Sequence, residues 1–248
     1  MVRLQRSLIP AVLSRLAPAA TQGLTDAWTA GRKLTVRAAI YNHRDVKAAL
    51  RASQHDKCAY CETLNPTSHD VVEHFRPKNG WRQTRSDALQ KPEYFWLAYS
   101  WGNLLFACDR CNDGGHKQNL FPLKNPTGRA NATNRNIERE RPLLLDPYGL
   151  NDPERHIAWD RDVPRARNGS LCGRVTITTF ALDADSLLLR ERRKYLHFVE
   201  VLLETAEALA SGSVARSAAA SVLADKASPR GPWSAMIRAN LGSRIRVL

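Results

Sequence analysis

Near the start of the chain apolar residues recur at helical spacing, at Leu8, Val12, Leu13 and Leu16, and predict a first helix. A second is expected over Val36 to Leu50, where Val46 and Leu50 stand four apart. From Asp185 the helical pattern returns, with Leu188, Tyr195, Val199, Leu202, Ala206 and Leu209 at threes, fours and sevens. Asp185 is placed to cap that helix and Gly212 to end it. Between these regions Val175-Thr-Ile-Thr-Thr-Phe180 is β-branched and predicts a strand. Residues 126–170 are rich in Asn, Arg, Pro and Asp and read as loops with short elements, including the turn Asp146-Pro147-Tyr148-Gly149. After Ser211 the chain is small and polar, then basic, and no internal repeat is evident. The expected class is α+β and mainly helical. Three regions are expected: a helical N-terminal arm at 1–50, an informative segment at 51–125, and a mixed loop, strand and helix region at 126–248.

Composition narrows this picture. With 248 residues, 43% hydrophobic and 25% charged, the chain can bury a real core, which argues against disorder throughout. One domain with elaborations is the expected organisation. The longest membrane-span candidate, Leu8 to Leu13, is broken by Pro10 and stopped by Arg15, so no membrane association is expected. Arg3, Arg6 and Arg15 precede the first acid, Asp26, but the apolar stretch beside them is too short and interrupted for a targeting signal. A cytoplasmic protein is expected. Lys and Arg outnumber Asp and Glu by 37 to 24, a net charge of +13. That excess points to a polyanionic partner, nucleic acid first, against the plainer reading of a merely basic surface. Charge supplies affinity and steering but no chemistry.

The cysteines carry more. Four of the five form two Cys-x-x-Cys pairs, Cys58/Cys61 and Cys108/Cys111, separated by 46 residues; Cys172 stands alone and reads as a small buried hydrophobe. An odd count with this spacing argues for metal rather than a secreted disulfide framework. Two such turns close a tetrahedral shell around structural Zn²⁺, and with no position open for water the ion is a staple whose binding energy is folding energy. Thiol redox chemistry expects a single exposed pair in a βαβ setting, which is absent here.

Between and after the pairs stand Val71-Val72-Glu73-His74-Phe75-Arg76-Pro77-Lys78, then Trp101-Gly102-Asn103-Leu104-Leu105, then Cys108-Asp109-Arg110-Cys111-Asn112, with His116, Lys117 and Phe121-Pro122-Leu123 following. The order Cys-x2-Cys, acid-His, Asn-Leu-Leu, Cys-x2-Cys-Asn and Lys resembles the HNH endonucleases, a ββα-metal family. The fuller text is similar to the PtuB-like branch found in Septu-type and retron-associated anti-phage defence systems. The likeness covers residues 55–125 well and extends loosely through 143–157. It implies a small ββα-metal core, held by the four-cysteine zinc site and flanked by helical elaborations. It also implies metal-dependent hydrolysis of nucleic-acid phosphodiesters, DNA first with RNA or tRNA as alternatives, under the control of a partner ATPase. No G-x-x-x-x-G-K-[ST] occurs in the chain, so ATP control would act in trans.

Carried over by position, the resemblance makes His74 the general base and Glu73 a metal ligand, where relatives have Asp or His. Asn103 would orient the loop of His74, and Asn112 would ligate the catalytic Mg²⁺ or Mn²⁺. His116, four residues after Asn112, would be a further ligand if the two share a helix face, although Gly114-Gly115 weakens a helix there. Arg76, Lys78 and Lys117 are placed to contact phosphates, with Arg82, Arg85 and Lys91 extending that charge. Each has a plainer alternative: an ion-paired acid for Glu73, a helix cap for Asn112, a surface residue for His116, a solvated basic face for the cations. Tyr94, Phe95, Trp96, Tyr99 and Trp101 are expected to be core rather than base-stacking. The competing function is a zinc-stapled binding module for nucleic acid or protein, in which Glu73, His74 and Asn112 are dispensable.

Overall fold

The computed structural model describes residues 1–64, 71–91, 94–112 and 115–248. Helices dominate, beside two small two-stranded sheets. The chain divides into two compact units, one built of Gln5–Ala59 and Asn65–Leu144, the other of Met1–Leu4, Tyr60–Leu64 and Leu145–Leu248. Among the described residues no helix is long and apolar enough to cross a membrane.

In the first unit, α1 runs over Ala11–Thr29. Its buried residues are Val12, Leu13, Ala20 and Leu24, whereas Leu8 and Leu16 are exposed. The inward stripe therefore differs from the predicted one. The helix expected over Val36 to Leu50 is two helices, α2 at Ala38–Tyr41 and α3 at Arg44–Gln54. The break is local chemistry: His43 leaves helical geometry and its Nδ1 accepts from the Asp45 amide at 3.2 Å. Val46 and Leu50 are fully buried, as their spacing predicts.

Strand β1, Val71–His74, pairs antiparallel with β2, Leu104–Ala107, placing Glu73 opposite Leu105 and His74 opposite Leu104. All four residues of β2 are buried. Gln54 acts as a side-chain extension of this sheet. Its Oε1 accepts from the Phe106 amide (2.9 Å) and its Nε2 donates to the Phe106 carbonyl (2.8 Å). The Ala59 amide donates to the same carbonyl, which sets the first Cys-x-x-Cys turn beside β2. One helical turn, α4 at Asp109–Asn112, follows β2 directly. The aromatics form the core: Tyr94, Phe95, Trp96, Tyr99 and Trp101 are all buried, and Phe121 packs edge-on against Phe75 and Tyr94 at 5.3 and 5.6 Å.

The second unit corrects two expectations. The β-branched run 175–180 is not a strand; it lies within helix α5, Leu171–Thr179, and its end. Ser170 caps that helix by accepting from the Gly173 amide, and Thr176 spends its hydroxyl on the Leu145 amide at 3.0 Å. Tertiary bonding has overridden a weak intrinsic preference. The strands lie earlier, in loop-like sequence. They are β3 at Ile157–Asp160 and β4 at Val163–Ala166, an antiparallel hairpin. The helix predicted from Asp185 is α6, Ser186–Ala208. The small, polar tail then supplies two helices that no strong periodicity announces, α7 at Val214–Ala227 and α8 at Ser234–Ile245.

Asp185 Oδ1 accepts from the Leu188 amide at 2.8 Å, satisfying one orphan donor at the start of α6. Asp185→Ala is expected to cost about 0.5–2 kcal/mol, read as a lower denaturant midpoint at unchanged slope.

Candidate active site and metal centre

The sulfur atoms of Cys58, Cys61, Cys108 and Cys111 all lie within 4.8 Å of one another. Tetrahedral zinc with four thiolate bonds separates its sulfurs by about 3.8 Å, so this set fits a structural ion. Cys58, Cys61 and Cys111 are buried and Cys108 is partly so. The second turn works locally as well: the Lys117 amide donates to the Cys111 carbonyl (3.3 Å) and the Gln118 amide to that of Asn112 (3.1 Å). The second cysteine turn thereby fixes where Lys117 leaves the chain.

Lys117 is fully buried, and its ammonium donates to Glu73 Oε1 and, at 2.8 Å, to the His74 carbonyl. The residue read as a phosphate contact is therefore the internal counter-ion of the acid. Burial pushes the Glu73 carboxyl up, and the Lys117 ammonium pulls it back only in part. Lys78 sits nearby, 5.0 Å from the Tyr41 ring centroid; burial lowers its ammonium pKa while Glu73 opposes the shift.

His74 is buried, and its ring meets Tyr41 edge-on with centroids 4.7 Å apart. Burial, with smaller help from Lys78, brings its pKa down to about 3. The imidazole is thus neutral at physiological pH. Its Nε2 lies 2.9 Å from the Ala98 carbonyl oxygen. A carbonyl only accepts, so Nε2 carries the proton and Nδ1 keeps the lone pair.

Asn103 holds the backbone just after His74. Its Oδ1 accepts from the Arg76 amide (2.8 Å), and its Nδ2 donates to the carbonyls of Arg76 (3.0 Å) and Leu97 (3.3 Å). The Phe75 amide adds a bond to the Asn103 carbonyl (2.9 Å). Arg76, also read as a phosphate contact, instead donates to buried Glu140 at 2.7 Å. Glu140 further accepts from the Tyr94 hydroxyl (2.7 Å) and the Ala130 amide (3.0 Å).

Glu73, His74, Lys78 and Asn112 line one polar cavity of ≈ 470 Å³, together with Asn79, Gln118 and Asn119 among others. Asn112 is the last residue of α4 as described. His116 is half-buried and is not among the residues lining this cavity. Asp113 and Gly114, part of its predicted helix face, lie outside the described residues. Tyr41 and the Ala98 carbonyl were missed by sequence reading. Tyr41 carries no motif and sits far upstream, and a backbone carbonyl has no residue signature.

No family model matches the chain. The chain is 35% identical over 210 residues to the Septu protein PtuB of Bacillus mycoides (strain KBAB4), a match covering 81% of this chain and 69% of that protein. It is 34% identical over 86 residues to the Septu protein PtuB of Bacillus thuringiensis, covering 33% and 28%. It is also 29% identical over 142 residues to the Septu protein PtuA of B. mycoides, covering 57% of this chain and 20% of that one.

Two outcomes are expected. Lys117→Met leaves the Glu73 charge buried and unpaired and should cost about 3–5 kcal/mol, most of it restored in the double variant Glu73→Gln/Lys117→Met; equilibrium denaturation of the three chains checks this. Metal analysis should find one zinc per chain, and Cys111→Ser should lose it with a fall in Tm.

Proposed function

The chain belongs to the Septu PtuB family, and on that premise we propose that it is a metal-dependent HNH-type endonuclease, the phosphodiester-cutting component of an anti-phage defence system. The observation that carries this reading is His74. It is a neutral imidazole whose Nε2 proton is committed to the Ala98 carbonyl, and it lines a polar cavity with Glu73 and Asn112. Nδ1 accepts a proton from water, the resulting hydroxide attacks phosphorus in line, the phosphorus–oxygen bond to the leaving group breaks with its electron pair on the leaving oxygen, and that oxygen takes a proton from solvent. Asn103 holds the loop that aims the base. Glu73 and Asn112 offer hard oxygen donors suited to Mg²⁺ or Mn²⁺. A divalent ion bound there would stabilise charge developing on the phosphate. Lys78 adds positive charge at the cavity wall.

The order β1, β2, α4 supports a ββα-metal core within residues 51–125, and the four-cysteine cluster supports zinc as its structural ion. The excess of 13 positive charges favours nucleic acid as substrate, DNA first. Septu proteins named PtuA and PtuB exist side by side in one Bacillus mycoides strain, which supports PtuA as the partner of a PtuB-family chain, and a partner ATPase of the kind the resemblance implies would restrain or release the nuclease.

Plasmid nicking in Mg²⁺ or Mn²⁺, by the chain alone and with PtuA, tests the reading. Zinc-replete His74→Ala should cut about 10²–10⁴-fold more slowly than wild type, with zinc content and Tm retained. Equal cutting by both would reject His74 as the base. Nucleic-acid binding without cutting in every condition would return the chain to a binding module.

A further inference from the structure

A second, smaller recess of ≈ 80 Å³ lies beside the cavity that holds His74. It is lined by Arg82, Arg85, Lys117, Gln118, Asn119 and Leu120. Gln118 and Asn119 line both spaces, so a ligand bound across them meets both.

The charge here is of one sign. The Lys117 ammonium is spent on Glu73, and Arg85 Nη1 donates to the Gly115 carbonyl at 2.8 Å. Arg82 differs. Its backbone is fixed on both sides, the amide donating to Asn119 O (2.8 Å) and the carbonyl accepting from the Phe121 amide (2.9 Å). Its Nε is buried and has no hydrogen-bond partner. Asp87, the acid of the adjoining turn, feels the Arg82 charge but spends Oδ2 on the Thr84 amide at 2.7 Å, and among the described residues the guanidinium closes no ion pair within 4 Å. A desolvated guanidinium N–H left without an acceptor is costly. The acceptor that removes this cost and neutralises the charge is an anionic oxygen, and a phosphate matches the planar guanidinium fork.

We propose that this recess is a subsite for a backbone phosphate neighbouring the one presented to His74, with Arg82 as its principal ligand and Arg85, Gln118 and Asn119 around it. The assignment rests on the phosphodiesterase reading and deepens it, because it gives the substrate a second anchor. A nucleic-acid strand would be held at two successive points, which fixes the register of the scissile bond.

The test is equilibrium binding of a short DNA duplex and a single strand by zinc-loaded, full-length His74→Ala across a range of salt concentrations. Adding Arg82→Gln should weaken binding about 3–10-fold and lower the slope of log K against log salt by about one. Arg82→Lys should recover part of the affinity. Arg190→Gln, which removes an exposed charge on α6, should leave affinity and slope unchanged. If Arg82→Gln does not fold, judged by zinc content and Tm, Arg85→Gln carries the test with the same expected sign. Unchanged affinity and slope in the folded variant would overturn the subsite while leaving the phosphodiesterase reading intact. Absence of any nucleic-acid binding by the His74→Ala parent would overturn both.

Discussion

A carboxylate buried beside a histidine must be neutralised, and in this chain Lys117 does it. The pair spans 44 positions and is buried. Either partner alone would be an uncompensated charge out of water, which proteins tolerate poorly. The same ammonium also holds the His74 carbonyl, so one side chain fixes both residues at the end of β1. Lys117 is itself placed by the turn that carries Cys111. The second cysteine turn, the counter-ion and the acid-histidine dipeptide are therefore consecutive links of one chain of bonds.

A second set of bonds holds the opposite side of His74. The Ala98 carbonyl accepts the hydrogen bond from Nε2–H, and Asn103 clamps the peptide groups that follow. Arg76, whose backbone Asn103 holds, is anchored through its side chain to Glu140, and Glu140 to Tyr94 and Ala130. Removing an amide or a carboxylate from this network would strand several buried partners at once. Rigidity of this kind is what the proposed role of His74 as a base needs, since reach to a proton is set in tenths of an ångström.

Much of this was legible in the sequence, for a physical reason. Zinc ligation, helix caps and apolar stripes are short-range demands, and they leave short-range spacing. The Cys-x-x-Cys turns, the Asp185 cap and the buried pair Val46/Leu50 belong to this class. Glu73, His74, Asn103 and Asn112 could be named because a family resemblance joins distant motifs. Counter-ions were not legible. Arg76 and Glu140 are 64 positions apart and Lys117 and Glu73 are 44 apart, so basic residues destined for internal pairs looked like a phosphate-binding face. The 175–180 run misled because β-branching is a weak preference that a cap and a hydroxyl bond can reverse, and α7 and α8 lacked an apolar stripe strong enough to read.

The fold delivers a neutral His74 with its proton on Nε2 and its lone pair on Nδ1. Side-chain ¹⁵N NMR of the histidines, with His74 assigned by its loss in His74→Ala, measures this directly. His74 is expected to show a protonated Nε2 and a bare Nδ1, unchanged between pH 8 and pH 5. A proton on Nδ1 at neutral pH, or an imidazolium forming near pH 6.5 as in a free histidine, would contradict it.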